Sequence, residues 1–258
     1  MSWFDHGGSR IYYEEHGSGD PVLLLPGFAG SVEDHGALRD VLAARYRVIA
    51  ADLPGSGRSL PQPRAYTATY YEDDAHSFVA LLQHLATGPA HLLGFSDGGE
   101  VVLLMAALTP ELARSVATWG ASGILDEAQR PMLDAIYNMI DNPAESLQGY
   151  SDYLKAQYGE ANARATIQSF VGAARAIIDG GGDISLSKVD SITCPVLLIA
   201  GEHDPIVPPA LVSRLAAHIR TVELLGVEGA GHAVHDERPE WLQQTILDWL
   251  ARATPRVQ

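Results

Sequence analysis

A single cysteine, Cys194, among 258 residues leaves no partner for an internal disulfide and too few thiolates for a metal cluster. That scarcity fits a reducing compartment, and a cytoplasmic location is expected. Positive charge is also scarce: 17 Lys and Arg face 32 Asp and Glu, a formal net charge of -15. Such a surface repels nucleic-acid phosphates and anionic lipid headgroups, so neither a nucleic-acid partner nor a membrane partner is expected. A cationic small molecule is mildly favoured. Long apolar runs are missing as well: the nearest, Val101 to Leu108, falls far short of the roughly 20 residues that span a bilayer. Met1 to Gly19 carries Asp5, Arg10, Glu14 and Glu15 with no apolar stretch of signal-peptide length, and reads as part of the mature chain.

What is present is an ordinary globular composition, 47% apolar and 19% charged, in a chain long enough to bury a substantial core. Short apolar runs alternate with longer amphipathic stretches, the pattern of strands joined by crossover helices around a mostly parallel sheet. Val22–Leu25, Val48–Ala51, His91–Gly94, Val116–Trp119, Val196–Ala200 and Val222–Leu225 read as strands, with Ile11–Glu15 as an antiparallel edge. Leu38–Arg45, Tyr71–Ala86, Gly99–Leu108, Pro209–Ile219 and Pro239–Arg252 read as the flanking helices. From about Ala121 to Val189 the alternation stops, and Pro131–Ile140 and Ala161–Ile178 are helical without a strand between them. The expected organisation is an α/β core of residues 1–120 and 190–258 with a helical cap, 121–189, inserted into it. Gly180-Gly181-Gly182 is either a flexible return from the cap or a loop of three positive-φ residues, and Thr254 to Gln258 is expected to fray.

Gly94-Phe95-Ser96-Asp97-Gly98-Gly99 follows one predicted strand and opens a predicted helix, the setting of a nucleophile elbow. Small residues at 94 and 98 permit a tight turn that lifts the Ser96 hydroxyl above the sheet while helix amides point at it. A nucleotide-phosphate loop is the other Gly-rich strand-to-helix turn, but it needs a Lys-Ser/Thr pair that is missing here. A serine hydroxyl is a weak nucleophile, so it needs a histidine base, and the imidazole needs a carboxylate to set its tautomer. Asp204, at the end of the strand Val196–Ala200, and His232, in Gly229-Ala230-Gly231-His232, follow in the required order. Among ten histidines His203 and His235 are the nearest rivals to His232. Acyl transfer also needs two amides aimed at the oxyanion; Phe28, in Pro26-Gly27-Phe28-Ala29-Gly30, and Asp97 are placed to supply their N–H groups. The Phe28 ring is expected in the pocket wall.

With Leu25-Pro26-Gly27, Asp52-Leu53-Pro54-Gly55-Ser56-Gly57-Arg58-Ser59, the elbow and Gly231-His232 in this order, the chain resembles the α/β-hydrolase family along essentially its whole length. Through Gly94-Phe95-Ser96-Asp97-Gly98-Gly99 and Trp119-Gly120-Ala121 it is most similar to the valacyclovir-hydrolase-like α-amino-acid ester hydrolases. The resemblance implies that Asp97 binds the substrate α-ammonium. A carboxylate about 6 Å from a developing oxyanion opposes it by roughly 2 to 3 kcal/mol at an effective dielectric near 20, which a bound cation offsets. Relative to the mammalian members no organelle presequence is expected, and Phe28 and Ala29 stand where bulkier or more flexible residues are usual. The expectation is a cofactor-free, metal-free serine hydrolase of small carboxylic esters, preferably α-amino-acid esters, whose only partners are substrate and water, as a monomer or small homo-oligomer. Alternatives with the same fold are a carbon–carbon bond hydrolase or perhydrolase, and a small-molecule receptor that signals by moving the cap.

Overall fold

The structure, a computed structural model, is described for residues 2–253; the tail Thr254 to Gln258, expected to fray, lies outside the described residues. In chain order the strands are β1 (Ser2–His6), β2 (Ser9–His16), β3 (Pro21–Leu25), β4 (Arg47–Ala51), β5 (Ala90–Phe95), β6 (Ala113–Trp119), β7 (Val196–Gly201) and β8 (Val222–Val227). Between them run α1 (Gly36–Ala43), α2 (Tyr70–His84), α3 (Asp97–Leu108), α4 (Arg130–Asn138), α5 (Gln148–Tyr158), α6 (Glu160–Asp179), α7 (Pro209–Ala216), α8 (Val234–Glu237) and α9 (Pro239–Ala253).

The eight strands form one sheet in the order β1-β2-β4-β3-β5-β6-β7-β8, antiparallel only at β1/β2 and β2/β4. Successive side chains of a strand point to opposite faces, and in the inner strands β3 to β7 both faces are dry. Leu23, Leu25, Leu92 and Leu198 pack with Phe78, Leu81 and Leu82 of α2, Val101 to Met105 of α3, and Val212 and Leu215 of α7. Their neighbours Val22, Leu24, Leu93 and Leu197 pack on the other side with Leu38 and Leu42 of α1 and Leu242, Ile246 and Leu250 of α9. Fully burying one such side chain contributes about 1.5 to 3 kcal/mol, which explains why these runs are apolar on both faces.

One expectation at the first edge needs correction. Ile11–Glu15 belongs to β2 but is not the edge, because β1 pairs outside it, from Ser2↔Tyr13 to His6↔Ser9, through a turn at Gly7-Gly8. The sequence Ser-Trp-Phe-Asp-His of β1 is half solvated on alternate residues, so it lacks the apolar run by which the inner strands are recognised.

α4, α5 and α6 lie between β6 and β7 and share their own core of Leu133, Leu154, Tyr158, Ile167, Val171 and Ile178, joined by Ala29 from the sheet domain. Where the chain enters and leaves this insertion the two strands of backbone bridge at Ile124↔Asp183, and Leu125 N–H donates to Gly182 O at 2.8 Å. Gly181 and Gly182 have φ of 105° and 81°, whereas Gly180 is at -81°, so two of the three glycines are left-handed and the return is hydrogen-bonded rather than free.

Candidate active site

β5 ends in the turn that carries Ser96 into α3. Ser96 sits at φ 50°, ψ -117°, a left-handed conformation that non-glycine residues adopt at a cost of about 1 kcal/mol or more. The turn is possible because its flanks have no side chains. A Cβ on Gly94 would lie 2.2 Å from Gly98 O, and one on Gly98 would lie 2.3 Å from Pro26 O. Asp97 is the first residue of α3, where an N–H has no intrahelical acceptor.

Three loops at the carboxyl ends of β5, β7 and β8 converge there. His232 Nε2 lies 3.1 Å from Ser96 Oγ, and His232 Nδ1 lies 2.7 Å from Asp204 Oδ2. The other Asp204 oxygen accepts the N–H groups of Ile206 and Val207 at 2.8 and 2.9 Å, so this 5% exposed carboxylate is fixed from both sides. Among the rivals, His203 is exposed beside Glu202, 3.8 Å away. His235 Nδ1 accepts from Trp119 Nε1 at 3.2 Å, and burial holds its ring below the usual imidazole range. Behind it His35 is buried without a hydrogen-bond partner for either ring nitrogen among the described residues, and burial keeps it neutral.

Phe28 follows β3 in the loop facing the elbow. Its N–H makes no hydrogen bond among the described residues, and Gly27 O accepts from Gly30 N–H at 3.0 Å. The Phe28 ring lines the cavity above Ser96 and stacks on Phe170 of α6 with ring centres 3.9 Å apart.

Asp97 faces the same cavity rather than solvent. It is 6% exposed, with Tyr71 Oη donating to Oδ1 at 2.9 Å and Tyr70 Oη to Oδ2 at 3.1 Å. Burial drives its pKa up to about 7, although the two phenol hydrogen bonds pull it back. These tyrosines were not singled out in the sequence, since an aromatic pair opening an amphipathic helix reads as core. Arg64 reinforces the cluster: it pairs twice with buried Asp74, at 2.8 and 2.6 Å, and its guanidinium lies 4.7 Å over the Tyr66 ring.

The cavity of about 550 Å³ is walled by apolar residues of the insertion, including Met132, Leu133, Ile136 and Leu147. Besides the phenols of Tyr71, Tyr150 and Tyr153, its ionisable lining is four carboxyl residues, Asp34, Asp97, Glu100 and Asp236, and the imidazoles of His232 and His235, with no Lys or Arg among the described residues. No group of three or more metal-ligating side chains is found among the described residues, and no helix among them is long and apolar enough to cross a membrane.

Four likenesses bear on this arrangement. The sequence profile of the alpha/beta hydrolase family matches residues 22–244. The human serine hydrolase BPHL is 31% identical over 88% of this chain and 78% of its own. A 2-hydroxy-6-oxo-6-(2'-aminophenyl)hexa-2,4-dienoic acid hydrolase from Metapseudomonas resinovorans is 25% identical over 95% of this chain and 89% of its own. Among solved structures, a thermophilic esterase from Thermogutta terrifontis superposes with a TM-score of 0.75 at 24% identity, covering 98% of this chain and 97% of that one, a likeness of fold.

Proposed function

Because the chain belongs to the alpha/beta hydrolase family, we propose that it is a serine hydrolase of small carboxylic esters, preferring esters of α-amino acids. The observation that carries this reading is the hydrogen-bonded line Asp204–His232–Ser96, which opens onto an apolar cavity holding the buried carboxyl of Asp97.

In this reading Asp204 accepts the His232 Nδ1 proton, which leaves the Nε2 lone pair facing Ser96. As Ser96 Oγ attacks the ester carbonyl, His232 takes its proton, and the oxyanion forms between the N–H groups of Phe28 and Asp97. Collapse expels the alcohol, protonated by His232, and leaves an acyl group on Ser96. Water then repeats the sequence, with His232 as base, and releases the acid. No cofactor or metal is required.

Asp97 supplies the selectivity. Its carboxyl is held near its titration midpoint at neutral pH, so a substrate ammonium favours the ionised form and gains a partner in a dry site. Four carboxyl residues without Lys or Arg in the lining also disfavour an anionic substrate such as a dienoate, which weighs against the carbon–carbon hydrolase alternative.

The test is kcat/KM for a phenylalanine ester and the 3-phenylpropionate ester of the same alcohol, on wild type and Asp97→Asn. A preference of tenfold or more for the amino ester, about 1.4 kcal/mol, that disappears in Asp97→Asn is the expected result. Equal turnover of the two esters by the wild type makes Asp97 structural and the protein a general carboxylesterase. Turnover of neither ester rejects the reading.

A further inference from the structure

The loop that carries Phe28 is held by an element outside the sheet domain. α5 of the insertion is amphipathic in an unusual way: it places two tyrosine hydroxyls, from Tyr150 and Tyr158, on successive carbonyls of the loop. Tyr150 Oη donates to Phe28 O at 2.7 Å, and Tyr158 Oη donates to Ala29 O at 2.7 Å. Tyr158 Oη in turn accepts from Gly57 N–H at 2.7 Å. Ala29 itself stands at φ 53°, a conformation that a non-glycine residue keeps only when its surroundings fix it.

The polarity of these bonds runs in one direction. A trans peptide carries its C=O and N–H antiparallel in one plane, so the donor received by Ala29 O orients the N–H of Gly30. That N–H donates to Gly27 O at 3.0 Å, and the Gly27 carbonyl shares its peptide plane with the N–H of Phe28. The line is therefore Gly57 N–H to Tyr158 O–H, to the Ala29–Gly30 peptide, to the Gly27–Phe28 peptide, whose N–H makes no hydrogen bond among the described residues. Each bond in such a chain polarises the next, and the free donor at its end is strengthened as well as aimed. The Tyr150 bond fixes the other flank of Phe28.

We propose that Tyr158, with Tyr150, is a positioning residue that aligns and polarises the Phe28 amide for the oxyanion, so that the hole is complete only while α5 lies on the loop. This rests on the hydrolase reading above for the role of the Phe28 amide. It makes seating of the insertion and catalytic competence a single event: a substrate that lifts α5 to enter finds the oxyanion site assembled only after α5 returns. It also gives the Asp52–Ser59 loop a task. Asp52 accepts from Val32 N–H at 2.7 Å and from Arg58 N–H at 2.6 Å, which ties the segment bearing Gly57 to the segment after Phe28.

The experiment uses Tyr158→Phe and Tyr150→Phe in the full chain, with two readouts. The first is amide hydrogen exchange across residues 27–32, expected to speed up at least tenfold in Tyr158→Phe, where the line is cut. The second is kcat and KM for a matched pair of substrates, an ester and its thionoester. Sulfur is a poor hydrogen-bond acceptor, so an intact oxyanion site favours the oxygen ester. In Tyr158→Phe the oxygen ester is expected to lose at least tenfold in kcat with KM within threefold, while the thionoester loses far less. The same fall for both esters signals a general structural lesion and overturns the proposal, as does kcat within threefold of wild type. Should the wild type turn over neither ester, the hydrolase reading has failed on its own. The exchange measurement then decides the clamp, and unchanged exchange in 27–32 overturns it.

Discussion

Glu100 and Ser185 are 85 residues apart in sequence and joined by a 3.0 Å hydrogen bond from Ser185 Oγ to Glu100 Oε2. The other carboxylate oxygen accepts from the N–H groups of Ser122 and Gly123, both at 2.8 Å. One side chain on the first turn of α3, one turn from Ser96, therefore grips the chain where it enters the insertion and where it leaves. Burial raises the Glu100 pKa, and the backbone hydrogen bonds from Gly123 and Ser122 counter it.

Glu100→Ala leaves two buried backbone donors and a buried hydroxyl without an acceptor, each costing about 1 to 3 kcal/mol. The expected loss is about 3 kcal/mol in urea unfolding, shared among the three groups as the site relaxes. Glu100→Gln keeps one oxygen for the two amides and presents its NH₂ to the Ser185 hydroxyl, which can accept, so less than half that loss is expected. Equal losses in the two variants refute this account of the carboxylate.

Asp97 makes stability depend on pH in a direction opposite to a salt-bridged carboxylate. Its folded-state pKa, about 7, lies above the ordinary value of 3.8, so between those values the folded protein keeps a proton that the unfolded chain has lost. Stability contributed by this group is complete below pH 4 and declines as pH rises to 7, by roughly 4 kcal/mol for a shift of this size. Asp97→Asn removes the decline. Urea midpoints of variant and wild type should be close at pH 4.5 and should separate, in favour of the variant, at pH 8; a constant difference contradicts the buried, proton-retaining carboxyl.

Arg64 supports that same cluster from below. Breaking a buried ion pair by removing one partner typically costs 3 to 5 kcal/mol. Asp74 is 2% exposed and burial lifts its pKa to about 6 even beside the guanidinium. In Arg64→Met the carboxyl can escape by taking a proton, so the loss is expected to be about 3 kcal/mol at pH 8 and clearly smaller at pH 5. A loss independent of pH would mean that stacking of the guanidinium on Tyr66, rather than the charge pair, carries the effect.

Which parts of this architecture were legible in the sequence follows from how local their constraints are. Val22–Leu25 and Val196–Ala200 are dry on both faces, so composition alone marks them. The elbow needs small residues at fixed offsets around Ser96, a constraint confined to five positions. β1 escaped because its residues alternate between half-buried and exposed, with no apolar run. α5 escaped for a related reason: Gln-Gly-Tyr-Ser-Asp-Tyr-Leu-Lys-Ala-Gln-Tyr has few aliphatic residues, and two of its tyrosines, Tyr150 and Tyr158, send their hydroxyls to the Phe28 loop. The partners of Asp97 depend on α2 packing against α3, and a contact between residues 26 positions apart leaves no periodic trace.

Asp204→Asn tests the orientation of His232 through a conflict of hydrogen-bond polarity. One oxygen of Asp204 is committed to two donors, the N–H groups of Ile206 and Val207, and the other faces His232 Nδ1. An asparagine has one oxygen and one NH₂. The two backbone donors claim the oxygen, so the NH₂ is left facing Nδ1, which must then be the unprotonated nitrogen. The ring proton moves to Nε2 and points at Ser96 Oγ, where a lone pair is needed. Because the shape is preserved, Tm and KM should change little, while kcat is expected to fall by about 10³ to 10⁴. The loss should ease at high pH, where hydroxide can take the serine proton in place of the histidine. A fall of less than tenfold at neutral pH would show that Asp204 does not set the His232 tautomer.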